Sequence, residues 1–223
     1  EMESTMTPTC LNTITPLLNQ LFSQASSVHS PLLASLSNEE RDRLMRSKTG
    51  YREMYGRIKE MWLPVSRQTG ELLYLLARAC QASTIIEYGS SYGISTLYLA
   101  AALRDNGGGV LIGSEFESEK VAGARLHLQQ AGLSDLVEIR EGDALQSLRE
   151  NLPKSIDLVL LDGAKSLYKD ILDLLESRLH VGSLIIADNV DYCPDYLEHI
   201  RQADGDYLSL PFADDVEVSL RLR

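Results

Sequence analysis

The chain has 223 residues, 44% of them hydrophobic, which is enough for one substantial core with a small appendage and too few for two equal domains. Against 21 Lys and Arg stand 32 Asp and Glu, a formal net charge of -11 with no basic run, so a nucleic-acid partner is disfavoured. Cys10, Cys80 and Cys193 are widely spaced and odd in number, which fits neither a disulfide framework nor a structural zinc site and points to a reducing cytoplasm.

No apolar stretch approaches the roughly 20 residues of a membrane helix, and the polar start Glu1 to Thr9 lacks the order of a signal peptide. From Leu11 to Ala79 the pattern is helical. Leu11, Ile14, Leu17, Leu18, Leu21 and Phe22 recur at helix spacing, with Thr15-Pro16 offering a capped start. Tyr51, Met54, Tyr55, Ile58, Met61 and Trp62 form a second stripe ended by Pro64, and Leu72 to Ala79 carry a third. Arg41, Arg43, Arg46, Lys48 and Arg52 are the main basic concentration and read as a solvated face.

After Ser83 short apolar runs alternate with helical segments: Thr84 to Ile86, Val110 to Ile112, Leu136 to Ile139, Ile156 to Leu161 and Leu184 to Ile186. Such alternation implies a parallel sheet covered on both faces, because parallel neighbours need crossover connections. The clearest intervening helix runs from Ser118 as N-cap to the stop Ala131-Gly132. Tyr207 to Phe212 and Val216 to Leu222 are separated by Ala213, Asp214 and Asp215 alone, too short for a crossover, so two strands there pair as an antiparallel hairpin.

Open parallel sheets bind ligands outside the carboxyl ends of their strands. The first strand ends in Glu87-Tyr88-Gly89-Ser90-Ser91-Tyr92-Gly93, followed by a helix near Ser95, a turn where backbone approaches a ligand closely or simply connects strand to helix. The second ends at Glu115, placed to accept from both hydroxyls of a ribose or to stand in solvent. The third leads to Asp143-Ala144, whose carboxylate faces an adenine amine or caps the next helix. Together the three describe a pocket for an adenosine-bearing ligand, and the missing G-x-G-x-x-G disfavours a dinucleotide. The fourth strand finishes Asp162-Gly163-Ala164-Lys165 and the fifth Asp188-Asn189; two carboxylates and an amide oxygen form an all-oxygen set suited to a hard divalent cation, magnesium by default. Alone, either Asp is equally a helix or turn cap.

With these residues, the segment from about Leu63 to Arg223 resembles the cation-dependent O-methyltransferases that include catechol and caffeoyl-coenzyme A methyltransferases. The resemblance implies a Rossmann-like α/β class I methyltransferase fold, with a seven-stranded, mostly parallel sheet closed by an antiparallel hairpin. Residues 1–62 would form a helical cap or lid before a methyltransferase domain at 63–223. It implies S-adenosyl-L-methionine held by Glu87, Gly89, Ser91, Gly93, Ser95, Glu115, Asp143, Ala144 and Asp162, a divalent cation on Asp162, Asp188 and Asn189, and Lys165 as the catalytic base, its pKa lowered by the cation. The expected substrate is a small hydroxylated aromatic with adjacent oxygens, in a cytoplasmic protein with neither nucleic-acid nor membrane partners; homodimerisation is a family habit. Ala164 stands where relatives often carry a bulkier side chain. Methylation of nitrogen or of an isolated hydroxyl, and non-catalytic adenosylmethionine binding, remain as alternatives. His29, His127, His180 and His199 have no metal-ligand spacing and are assigned to structure.

Overall fold

The structure, a computed structural model, describes residues 7–28, 35–57, 59, 61–213 and 215–223, with the backbone alone at 52–54. The side chains of Arg52 and Met54, and all of residues 1–6, His29, Ile58 and Asp214, lie outside the described residues.

Among the described residues the first helices are α1 (Cys10–Ser27), α2 (Asn38–Met45), α3 (Tyr51–Arg57) and α4 (Arg67–Ala79). The α/β part then runs β1 (Thr84–Tyr88), α5 (Ile94–Asp105), β2 (Val110–Glu115), α6 (Ser118–Gln130), β3 (Val137–Glu141), α7 (Ala144–Ser147), β4 (Ile156–Leu161), α8 (Tyr168–Leu175), β5 (Leu179–Ala187), α9 (Pro194–Ile200), β6 (Tyr207–Phe212) and β7 (Val216–Arg221). The seven strands lie in the order β3-β2-β1-β4-β5-β7-β6. Every pairing among β1 to β5 is parallel, while β7 runs antiparallel to both β5 and β6, as the short connection required.

Burial explains the strand composition. β1 and β4 are covered on both faces, so both read as nearly continuous apolar runs. On one face α5 is buried from Ile94 to Leu103, sandwiched between the sheet and the preceding helices; Ile14, Leu18 and Leu21 of α1 and Leu73 and Ala77 of α4 share that core. Leu97, Leu99 and Leu103 have no exposed surface, and each contributes about 1.5–3 kcal/mol by leaving water. On the other face α8 and α9 pack Tyr168, Ile171, Leu172 and Tyr196 against Ile86, Val159 and Ile185.

Several boundaries differ from the sequence expectation. Thr15-Pro16 does not open α1: Thr9 is its N-cap, and Pro16 sits inside, where burial of Ile14, Leu18 and Leu21 outweighs one missing N–H bond. The second stripe does not continue as one helix to Trp62; α3 stops at Arg57, and Trp62 instead stacks on Tyr92 with ring centroids 4.2 Å apart. Ser118 is the first residue of α6 rather than its cap, which is Glu117, and Ala131-Gly132 ends it as expected. The basic segment is tied down: Arg46 pairs with Asp42 and donates to the carbonyl of Asp191, while Lys48 pairs with Asp170 and Asp195, latching the end of α2 to α8 and α9.

Candidate active site

At the carboxyl ends of β1 to β4 opens a cleft of about 770 Å³, continuous with solvent. Gly89, Ser91, Glu115, Asp143, Ala144 and Asp162, all singled out in the sequence, line it. The turn after β1 is tightly determined. Gly89 has φ +93°, and a β-carbon there would stand 2.4 Å from the backbone oxygen of Asp162, so only glycine lets β1 approach the end of β4 this closely. Ser91 is left-handed at φ +47°, a conformation concentrated at functional turns for residues other than glycine. Its N–H donates to Oε2 of Glu115 at 2.7 Å, while the Glu117 N–H donates to Oε1 at 3.0 Å. Glu115 is thereby aimed by backbone into the cleft, with lone pairs remaining on both oxygens. The buried Ser91 hydroxyl has no hydrogen-bond partner among the described residues. Asp143 caps α7 through the Leu145 N–H at 2.9 Å and also lines the cleft.

Glu87 lies beneath the turn. It is fully buried and accepts from the hydroxyls of Ser90, Ser95 and Thr96, each at 2.6 Å; burial pushes its carboxyl up against the opposing effect of these donors. Its part in this arrangement is to hold the turn's shape. Gly93 is likewise the left-handed N-cap of α5, and Ser95 borders a side recess with Trp62 rather than the main cleft.

Asp162 lines the cleft, and adjacent β4 and β5 bring Lys165, Asp188 and Asn189 to the region behind it. Lys165 Nζ donates to Asp162 Oδ1 and to the Tyr168 hydroxyl, each at 2.8 Å, and Tyr168 donates onward to the Asp188 carbonyl at 2.7 Å. Asn189 is left-handed at φ +53°, and its amide nitrogen donates to Asp215 at 2.8 Å, leaving the amide oxygen out of that bond. Burial, then the neighbouring Asp162 charge, pushes the Asp188 carboxyl up to about 7. Burial also raises Asp162 despite its ion pair with Lys165, and the two carboxyls are hydrogen-bonded to each other. Burial pulls the Lys165 ammonium down, but Asp162 and its other anionic neighbours outweigh this and hold it above its usual value. In this arrangement Lys165 itself is the counter-charge to these carboxyls.

Among the described residues no three His, Cys, Asp or Glu side chains are grouped to hold a metal ion. The donor set nevertheless fits a hard cation. Asp162 and Asp188 present two largely buried carboxyls beside one lysine, and the Asn189 amide oxygen adds a neutral donor of the same hardness.

The main residues missed in the sequence are Tyr168 and Asp215. Tyr168 follows Lys165 by one helical turn, a signal that was present; Asp215 reaches Asn189 through the hairpin, for which no local signal exists. Tyr51 and Tyr55 of α3 line the cleft, so this helix meets ligand space, whereas Trp62 packs against the glycine turn.

Residues 86–190 match the family model described as a methyltransferase domain. A catechol O-methyltransferase of Niastella koreensis is 37% identical over 131 residues, covering 57% of this chain and 58% of that protein. A catechol O-methyltransferase of Sus scrofa is 30% identical over 152 residues, covering 64% of this chain and 80% of the relative. The chain belongs to the class I S-adenosylmethionine O-methyltransferase family. Within that family, the solved O-methyltransferase TomG of Streptomyces achromogenes, in complex with SAM, superposes with a TM-score of 0.65 at 25% identity, covering 76% of this chain and 87% of that one. The chain spans just under three fifths of the length of the Niastella relative, 58%. No helix among the described residues is long and apolar enough to cross a membrane.

Proposed function

We propose that this chain is an S-adenosylmethionine-dependent, divalent-cation-assisted O-methyltransferase of a small aromatic substrate carrying adjacent hydroxyls. The observation that carries the reading is the convergence of Lys165, Asp188 and Asn189 behind Asp162, which lines a cleft whose wall also bears Glu115 and Asp143. When bound, adenosylmethionine supplies the sulfonium methyl, and a magnesium-like cation supplies the positive charge that favours an ionised hydroxyl. Asp162, Asp188 and Asn189 are the residues that would hold that cation.

Glu115 accepts from the ribose hydroxyls, Asp143 and Ala144 face the adenine, and Gly89 and Ser91 let the backbone close on the amino-acid portion. Lys165 takes the proton from the reacting hydroxyl. Tyr168 keeps the lysine aimed, because its oxygen accepts from Nζ while its own proton is committed to the Asp188 carbonyl. Lys165 is ion-paired with Asp162, and a cation held by Asp162, Asp188 and Asn189 would supply positive charge to offset that carboxylate and free the lysine to act as a base. Tyr51, Tyr55 and Leu167 supply apolar walls suited to a flat ring, and the small Ala164 leaves room beside the acidic cluster. Homodimerisation and a cytoplasmic setting belong to the same reading.

The test is methyl transfer to a panel of vicinal-diol and mono-hydroxy aromatics, with magnesium and with excess chelator. Transfer to the diols that disappears on chelation and returns with added magnesium is the expected result. Equal rates on both substrate types with chelator present would sink the cation-assisted mechanism and favour the metal-independent alternative.

A further inference from the structure

Lys120 is buried in the wall of the cleft and has no task in the reaction just described. It lies near the start of α6, only 5% exposed, and lines the cleft beside Glu115 and Phe116. It forms neither an ion pair nor a hydrogen bond among the described residues; its contact is with the ring of Tyr92, whose centroid is 5.9 Å from Nζ. The carboxylates of Glu115 and Glu117 are its nearby opposite charges, but neither makes a contact ion pair with it; an ammonium largely removed from water without such a contact is costly, and such groups persist chiefly where a ligand completes them.

Its position is fixed by rigid elements. Gly123, one turn further along α6, is so close to Tyr92 that a β-carbon there would stand 2.7 Å from the ring. Tyr92 is itself stacked on Trp62, and His127 on the same buried face bonds the Tyr92 carbonyl at 2.8 Å. The stem of Lys120 is therefore held between the glycine turn and the end of β2, the two segments that frame Glu115.

Hydrogen-bond accounting at Glu115 shows what is missing. Its oxygens already accept from Ser91 and Glu117, and their remaining lone pairs suit hydroxyl protons. A ribose hydroxyl is both donor and acceptor, so a carboxylate satisfies only half of it. We propose that Lys120 is a second ribose-binding residue, its ammonium donating to the oxygen of a hydroxyl whose proton goes to Glu115. The ligand class this selects is an adenine nucleoside with free vicinal hydroxyls; a phosphate on the ribose would confront Glu115 and Glu117. The inference rests on the functional reading above and adds a residue to it.

The test is calorimetric binding of adenosylhomocysteine and of its 2′-deoxy and 3′-deoxy analogues, without added metal, to the full chain and to its K120M and K120R variants. Methionine keeps the apolar stem and removes the charge. K120M should bind adenosylhomocysteine about tenfold more weakly, the loss of one charge-assisted hydrogen bond, with K120R retaining most of the affinity. For at least one deoxy analogue the wild type and K120M should bind alike, because the contacted hydroxyl is gone. K120M should melt no lower than the wild type, since a buried charge has been removed. Unchanged binding of adenosylhomocysteine by K120M, or an equal loss for all three ligands, overturns the inference while leaving the enzyme assignment standing. Wild-type protein that does not bind adenosylhomocysteine overturns both.

Discussion

Replacing Gly89 with alanine tests whether the cofactor turn is shaped by close backbone approach. Two costs combine there. The residue has φ +93°, where an L side chain is strained by roughly 1–2 kcal/mol, and its β-carbon would stand 2.4 Å from the Asp162 oxygen and 2.6 Å from the Gly163 α-carbon. Both neighbours are backbone atoms of the turn that carries Asp162, and overpacking of this kind costs about 1–3 kcal/mol. The reduced freedom of the unfolded chain returns about 0.4–1 kcal/mol. Gly89→Ala should therefore destabilise by about 1–5 kcal/mol. Gly132 supplies the control: its φ is +67°, but nothing lies within 4 Å of an added β-carbon, so Gly132→Ala should cost no more than about 1 kcal/mol. Equilibrium urea unfolding of both variants, compared at constant m value, reads the difference directly. Adenosylhomocysteine binding should weaken in Gly89→Ala and stay unchanged in Gly132→Ala. Equal midpoints for the two variants would refute the close-approach argument.

Lys165→Met should keep adenosylhomocysteine binding while turnover falls by about 10²–10⁴-fold, the range for a lost proton-transfer group; turnover within a few-fold of wild type removes Lys165 from the mechanism. His180 pairs with Asp157 at 3.0 Å, and its pKa is raised by the Val181 carbonyl and then by Asp157. Its stabilisation is thus complete below the unfolded value near 6.5 and is lost as pH rises through the higher folded value. Wild-type stability should decline above about pH 6.5 by under about 1 kcal/mol, the pair being partly exposed, and urea unfolding of His180→Gln should lack this decline; equal slopes discount the pair. Glu217 is fully buried on β7 and accepts from Arg201 at 2.8 and 2.6 Å and from Ser209 at 2.6 Å. Glu217→Gln should cost about 1–2 kcal/mol in chemical unfolding, less than a fully buried pair because Arg201 is half exposed, and an unchanged midpoint would contradict it.

Much of the fold is legible along the chain because it depends on local chemistry. Ile156 to Leu161 reads as a doubly covered strand by its apolar run, interrupted only by Asp157, and the interval Ala213 to Asp215 excludes a crossover by its length. Helix limits were less legible. Pro16 and Ser118 carry the right residue types for a helix start, but burial of the α1 stripe and the backbone tie from Glu117 to Glu115 decide the actual starts. The short α3 shows the same limit, since Tyr51 and Tyr55 turn to the cleft while Trp62, on the same apparent stripe, stacks elsewhere.

The sequence by itself determined the strand-helix alternation, the closing hairpin and the residue types at five strand ends, because periodicity, connection length and turn chemistry act over neighbouring residues. Only the tertiary structure decided which of those residues meet. It placed Glu87 under the glycine turn rather than in the cleft, brought Asp215 to Asn189 across the hairpin, and left Lys120 buried near Glu115 with no contact ion pair among the described residues. These outcomes depend on strand order and on which helix face is covered, both set by contacts between segments far apart in the chain.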